Sequence, residues 1–171
     1  MLHLHVNGKI CIKDYLYFVE VRAVSNIQDL VDGLMNCDDK QAYHCLKQLE
    51  DKSSRSAEVY PFFDTFVEML NNTNSYIRTR GIVLIAANAR WDVDYKIDEI
   101  IDEYLKHIID DKPITARQCI KALPSIVKYK PDLKNHIENA LHRANPLRYK
   151  DSMQLLVFKD IQKSLDNIRN L

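Results

Sequence analysis

The stretch VYPFFDTFVEMLNNTNSYIRTRGIVLIAANARW, residues 59–91, reads as two helices joined by a short polar turn. Val59, Phe62, Phe63, Phe66, Val67 and Leu70 recur at three- and four-residue intervals, so a helix gathers them on one side. After the asparagine-rich break, residues 74–91 have almost no polar face yet contain Arg78, Arg80 and Arg90. A helix that is apolar nearly all round must be enclosed by neighbours.

Those neighbours are found by comparing the chain with itself. Shifted by 38, Val59, Phe62, Phe63, Asp64, Phe66, Val67 and Leu70 fall on Ile97, Ile100, Ile101, Asp102, Tyr104, Leu105 and Ile108. Shifted by 37, Ile77, Arg80 and Val83 fall on Ile114, Arg117 and Ile120, so the intervening turn differs by one residue. Weaker copies flank these, with Ile27 to Leu49 before and Leu133 to Leu165 after. Eight helices in about four pairs follow, one pair per period, because a lone helix pair cannot bury both apolar faces and must stack on others. The expected fold is an all-α superhelix spanning residues 25–171.

The second-helix starts NSYIRTRGIVLI (74–85) and DKPITARQCIKAL (111–123) resemble those of HEAT and armadillo repeats. The matching residues are Asn74, Ile77, Arg78 or Arg80 and Gly81 in one, and Asp111, Pro113, Ile114, Arg117 and Ala122 in the other. The likeness covers roughly residues 25–168 and extends to small bacterial single-array HEAT-like proteins of unknown role, some labelled SufBD. It implies that first helices line the convex side of the array and second helices the concave side.

Residues 1–24 stand outside the repeat. LHLHVNGKICI, residues 2–12, alternates around Asn7-Gly8, which predicts a β-hairpin capping the first repeat. An alternative is that the segment precedes the natural start: if the source is bacterial and a GTG codon encodes Val24, translation begins there. The segment has neither the basic start nor the apolar run of a signal peptide, and no 18-residue apolar run spans a membrane, so the expectation is a cytoplasmic protein. Cys11, Cys37, Cys45 and Cys119 have no C-x-x-C spacing and read as reduced thiols.

Catalytic signatures are scarce. The chain has no glycine-rich phosphate loop, no G-x-S-x-G and no H-E-x-x-H, and no catalytic residue, metal ligand or cofactor is assigned. His3 and His5 would share a strand face near Cys11 but read as solvent-facing, and Asp98, Glu99, Asp102 and Glu103 read as a solvated acidic face. Lys+Arg and Asp+Glu are equal at 24 each, so no net field draws the molecule to a polyanion or an acidic membrane. Charge is segregated locally. Residues 94–111 carry seven acids against Lys96 and Lys106, while residues 112–134 carry six cations against Asp132.

A helical wheel over residues 114–129 puts Cys119, Ala122, Leu123, Ile126 and Val127 on one side and Arg117, Lys121, Ser125 and Lys128 on the other. Carried back by 37, the polar stripe reaches Arg80, Leu84, Asn88 and Trp91. Arg80, Asn88, Trp91, Arg117, Lys121 and Lys128 therefore form the candidate partner-binding strip, with Tyr129 as further apolar contact area. A concave strip of this kind suits an acidic protein or peptide; an intramolecular ion-pair network explains the same residues. The runner-up is nucleic-acid binding. ARWDVDYKI, residues 89–97, is similar to an N-W-D-x-V-D motif of HEAT-like alkylated-base DNA glycosylases, which implies a catalytic role for Asp92 or Asp94 beside Trp91; a capping aspartate after a packed tryptophan explains the same residues. Arg78, off the stripe and near a helix start, is expected to pair with an internal acid such as Asp64 or one in the turn of the adjoining repeat.

Overall fold

The computed structural model describes residues 27–36 and 38–171, and within them the chain is all-helical. The helices are α1 (27–33), α2 (Asp39–Arg55), α3 (Phe63–Leu70), α4 (Ser75–Ala87), α5 (Lys96–Lys106), α6 (Pro113–Tyr129), α7 (Lys134–Arg143) and α8 (Asp151–Arg169). They form four consecutive pairs, as the periodicity predicts. The proposed hairpin, His3, His5, Cys11 and Cys37 lie outside the described residues. Cys45 and Cys119 are free thiols, and burial pushes the Cys119 thiol well above its ordinary value.

Turn chemistry explains where the pairs break. Asp38 accepts the amides of Lys40 and Gln41 at the start of α2, and Asn74 accepts that of Tyr76 at the start of α4. Pro113 opens α6, where its missing N–H is one of the groups a helix start leaves unpaired anyway.

The second helices make one continuous layer, with α4 packed between α2 and α6, and α6 between α4 and α8. Against this layer lie the first helices, α3 on α4 and α7 on α6 and α8. Phe63, Phe66, Leu84, Ile85, Ile97, Tyr104, Ile120 and Ile126 are fully buried between the layers. The Tyr104 hydroxyl crosses from α5 to donate to the Ile82 carbonyl of α4 at 3.0 Å. Gly81 sets the α3–α4 distance, since a Cβ there would stand 2.6 Å from the Phe66 carbonyl oxygen.

Successive pairs are tied by polar contacts as well as by packing. Lys96 reaches Asp64 at 2.7 Å, His136 reaches Asp102 at 2.8 Å, and Arg148 reaches Asp111 at 2.9 Å. Asp102 and Asp111 of the acidic block are held by residues of the last pair, and Asp98 lies 3.1 Å from Lys130, so the α5 acids are partly used as clasps and form no wholly solvated face. No helix among the described residues is long and apolar enough to cross a membrane.

Candidate functional site

Where α2, α4 and α6 lie side by side, the space between them is lined by Ser53, Val83, Ala86, Ala87, Ala122 and Ser125. These side chains are too short to fill the space between the helices, which leaves a groove of about 410 Å³. A second depression of about 260 Å³ shares Glu50, Val83 and Gln118 with it, so the two form one trough across the second-helix layer. Tyr43 and Tyr76 flank one end, both more than half exposed, and Tyr129 flanks the other. Solvent-facing tyrosines on a groove of small residues are characteristic of docking surfaces.

The charges on this trough are unequally spent. Glu50 on one wall is neutralised by Lys47 at 2.7 Å. Arg90 is exposed, lies 4.9 Å over the Trp91 ring and makes no ion pair with the described residues. Lys121 is only loosely held, 3.7 Å from Asp160. Beyond the rim, Lys128 lies 5.3 Å over the Tyr129 ring. Unspent charge near Arg90 and Tyr129 is therefore positive.

The structure separates the six residues of the predicted strip. Lys121 lines the trough, and Lys128 is exposed beside it. Arg117 turns to α8 and binds Asp160 at 2.5 Å. Arg80 is 5% exposed; its guanidinium binds Asp39 at 2.8 Å and the Leu34 carbonyl at 2.7 Å, which ties α4 to the preceding pair. Asn88 is fully buried, donating to the Leu84 carbonyl at the end of α4. Trp91 leans on α2 and donates from Nε1 to the Ser53 carbonyl at 2.6 Å. Asn88 therefore leaves the docking strip, whereas Arg80 keeps an edge on the second depression, with its guanidinium held by the Asp39 carboxylate and the Leu34 carbonyl.

Two clusters that look chemical from their residue types are internal fasteners. Asp110, nearly buried, accepts Arg78 Nε and Nη2 at 2.8 and 2.7 Å, His107 Nδ1 at 2.9 Å and the Lys112 amide at 2.9 Å. Arg78 thus pairs in the turn of the adjoining repeat, one of its two expected partners, while Asp64 goes to Lys96. Burial alone would raise the Asp110 carboxyl, but those donors outweigh it and hold it well below the usual carboxylate range. Asp92 of the WDVD segment accepts the Lys96 and Ile97 amides and the Tyr60 hydroxyl, and Lys130 Nζ lies 2.7 Å away. This is a capping aspartate after a packed tryptophan. Asp92 too is held below its ordinary value, burial being outweighed by Lys130 and the amides. Lys130 is itself buried; Asp92 and Asp98 overcome the cost of burying its ammonium and hold its pKa above the ordinary value.

No protein-family model, curated protein or solved structure matches this chain. The site is therefore read from its own geometry. Tyr43, Tyr76, Ser53 and Arg90 belong to the trough but not to the predicted strip. Tyr43 had a signal, an aromatic standing off the Ala42, Leu46, Leu49 stripe. Arg90 stood out as a cation at the end of an apolar segment but was not tied to the strip, and Ser53 had no signal, because the trough is made by three helices meeting and no single-helix wheel contains it.

Proposed function

We propose that this chain is a HEAT-like array of four helix pairs that works as a non-catalytic interaction scaffold, taking an acidic protein segment in the trough across α2, α4 and α6. The observation that carries this reading is the combination in one place of a small-residue floor, three exposed tyrosines and uncommitted cations. Tyrosines supply contact area at low entropic cost, while Arg90, Lys121 and Lys128 favour an acidic partner and repel a basic one. On the first-helix side Asp64 and Asp102 are instead used in clasps between repeats.

Arg90→Glu combined with Lys121→Glu tests the surface. Neither residue holds a close ion pair inside the fold, so far-ultraviolet dichroism should be unchanged. A tagged double variant in the native host should lose the proteins that co-purify with the wild type; unchanged co-purification would remove the trough from the account. A labelled DNA or RNA shifted at low salt, with affinity collapsing as salt is added, would favour the nucleic-acid alternative instead.

A further inference from the structure

Ser53, Trp91 and Arg90 form a connected unit at one end of the trough. The Ser53 carbonyl holds the Trp91 indole N–H, and the indole ring carries the Arg90 guanidinium on its face. Stacking uses the flat side of a guanidinium and leaves its N–H edge available for bidentate recognition. Across the groove stands Lys121, nearly half exposed. The Ser53 side chain itself is 1% exposed and lines the groove, yet its hydroxyl has no hydrogen-bond partner among the described residues. Helical serines commonly donate back to a carbonyl one turn earlier, so an unused buried hydroxyl is a cost that an incoming acceptor would remove.

We infer that this end of the trough is a carboxylate site: one acidic group of a bound peptide takes the Arg90 edge, the Lys121 ammonium and a hydrogen bond from Ser53 Oγ after a χ1 rotation. Trp91 acts as the positioning residue. The inference rests on the docking function proposed above and specifies its anchor. Lys121 is partly spent on Asp160, 3.7 Å away, whereas Arg90 makes no ion pair with the described residues, so the free charge at this end is close to one and matches a carboxylate better than a doubly charged phosphoryl group.

Backbone-amide NMR titrations of the full chain test this with N-acetylglutamic acid α-amide for a side-chain carboxylate and N-acetylalanine for a terminal one. N-acetylglutamine α-amide is the neutral control, and inorganic phosphate is the competing anion. Saturable shifts at Ser53, Ala86, Ala87 and Lys121 are expected with one or both carboxylates and none with the neutral amide; the stronger arm names the source. Ser53→Ala should not lower the melting temperature, since it removes an unpaired buried hydroxyl, and should weaken binding about tenfold, the effect of one hydrogen bond to a charged group. Arg90→Gln should weaken it at least as much. Wild-type affinity in Ser53→Ala, equal shifts from the neutral amide, no shifts at all, or tighter saturation by phosphate would each overturn the assignment. Loss of co-purifying proteins in the double charge reversal alongside a failed titration would leave a docking surface without this anchor; the converse result would leave an anion site without the scaffold.

Discussion

Arg78 and Arg80 are two residues apart on α4 and have opposite surroundings. Arg78 reaches forward to Asp110 in the turn before α6, whereas Arg80 reaches back to Asp39 at the start of α2. The first was legible, because a cation near a helix start needs an anion and the adjoining turn carries several. The second was not, since nothing local distinguishes Asp39 from other surface acids and its separation from Arg80 is 41 residues. Asp110→Asn should cost about 1–3 kcal/mol in urea unfolding, because it leaves the partly buried Arg78 guanidinium without its counter-charge. Acid should act through the same group. Asp110 and Asp92 both have folded-state values below their unfolded ones, so the stability they supply is complete above about pH 5 and is lost as pH falls below about 4. Wild-type stability should therefore drop between about pH 4 and 2 in urea titrations, and Asp110→Asn should flatten that drop; an unchanged acid limb would show that Asp110 is not a protonation site of consequence.

Pro124 sits inside α6 and removes the N–H that would serve the Ile120 carbonyl. In its place the Ser164 hydroxyl of α8 donates to that oxygen at 2.9 Å, with Ser164 buried. One helix thus repairs another, and the repair fixes how α6 and α8 stack. Ser164→Ala should destabilise the chain by about 1–3 kcal/mol, the cost of an unpaired buried carbonyl, measured as a shift in the urea midpoint without a change in slope. The helices themselves were readable from apolar spacing, because a buried stripe is a property of one segment. The partner of Ile120 was not, because it is decided by a residue 44 positions away in sequence that only the stacked array brings near.

Four helix pairs stacked through their second helices is the arrangement that the self-similarity at 37 and 38 residues predicts, and that part of the fold was legible in the sequence. A repeat cannot bury its faces alone, so the period carries the architecture with it. The partner surface was legible only in outline. The wheel found Lys121, which lines the trough, and Lys128 beside it, but it counted buried Arg80 and Asn88 as exposed. The reason is that a wheel knows one helix, while α4 is covered on both flanks by α2 and α6 and keeps only a narrow outward strip. That strip is the trough floor, and the account stands or falls on whether a protein lies there. A photo-crosslinking side chain placed at Tyr76 and at Tyr129, and as a control at Thr65 on the opposite layer, measures this in the native host. The trough positions should each give the same discrete protein adduct, absent at Thr65; equal labelling at all three positions, or adducts at Thr65 alone, would contradict the account.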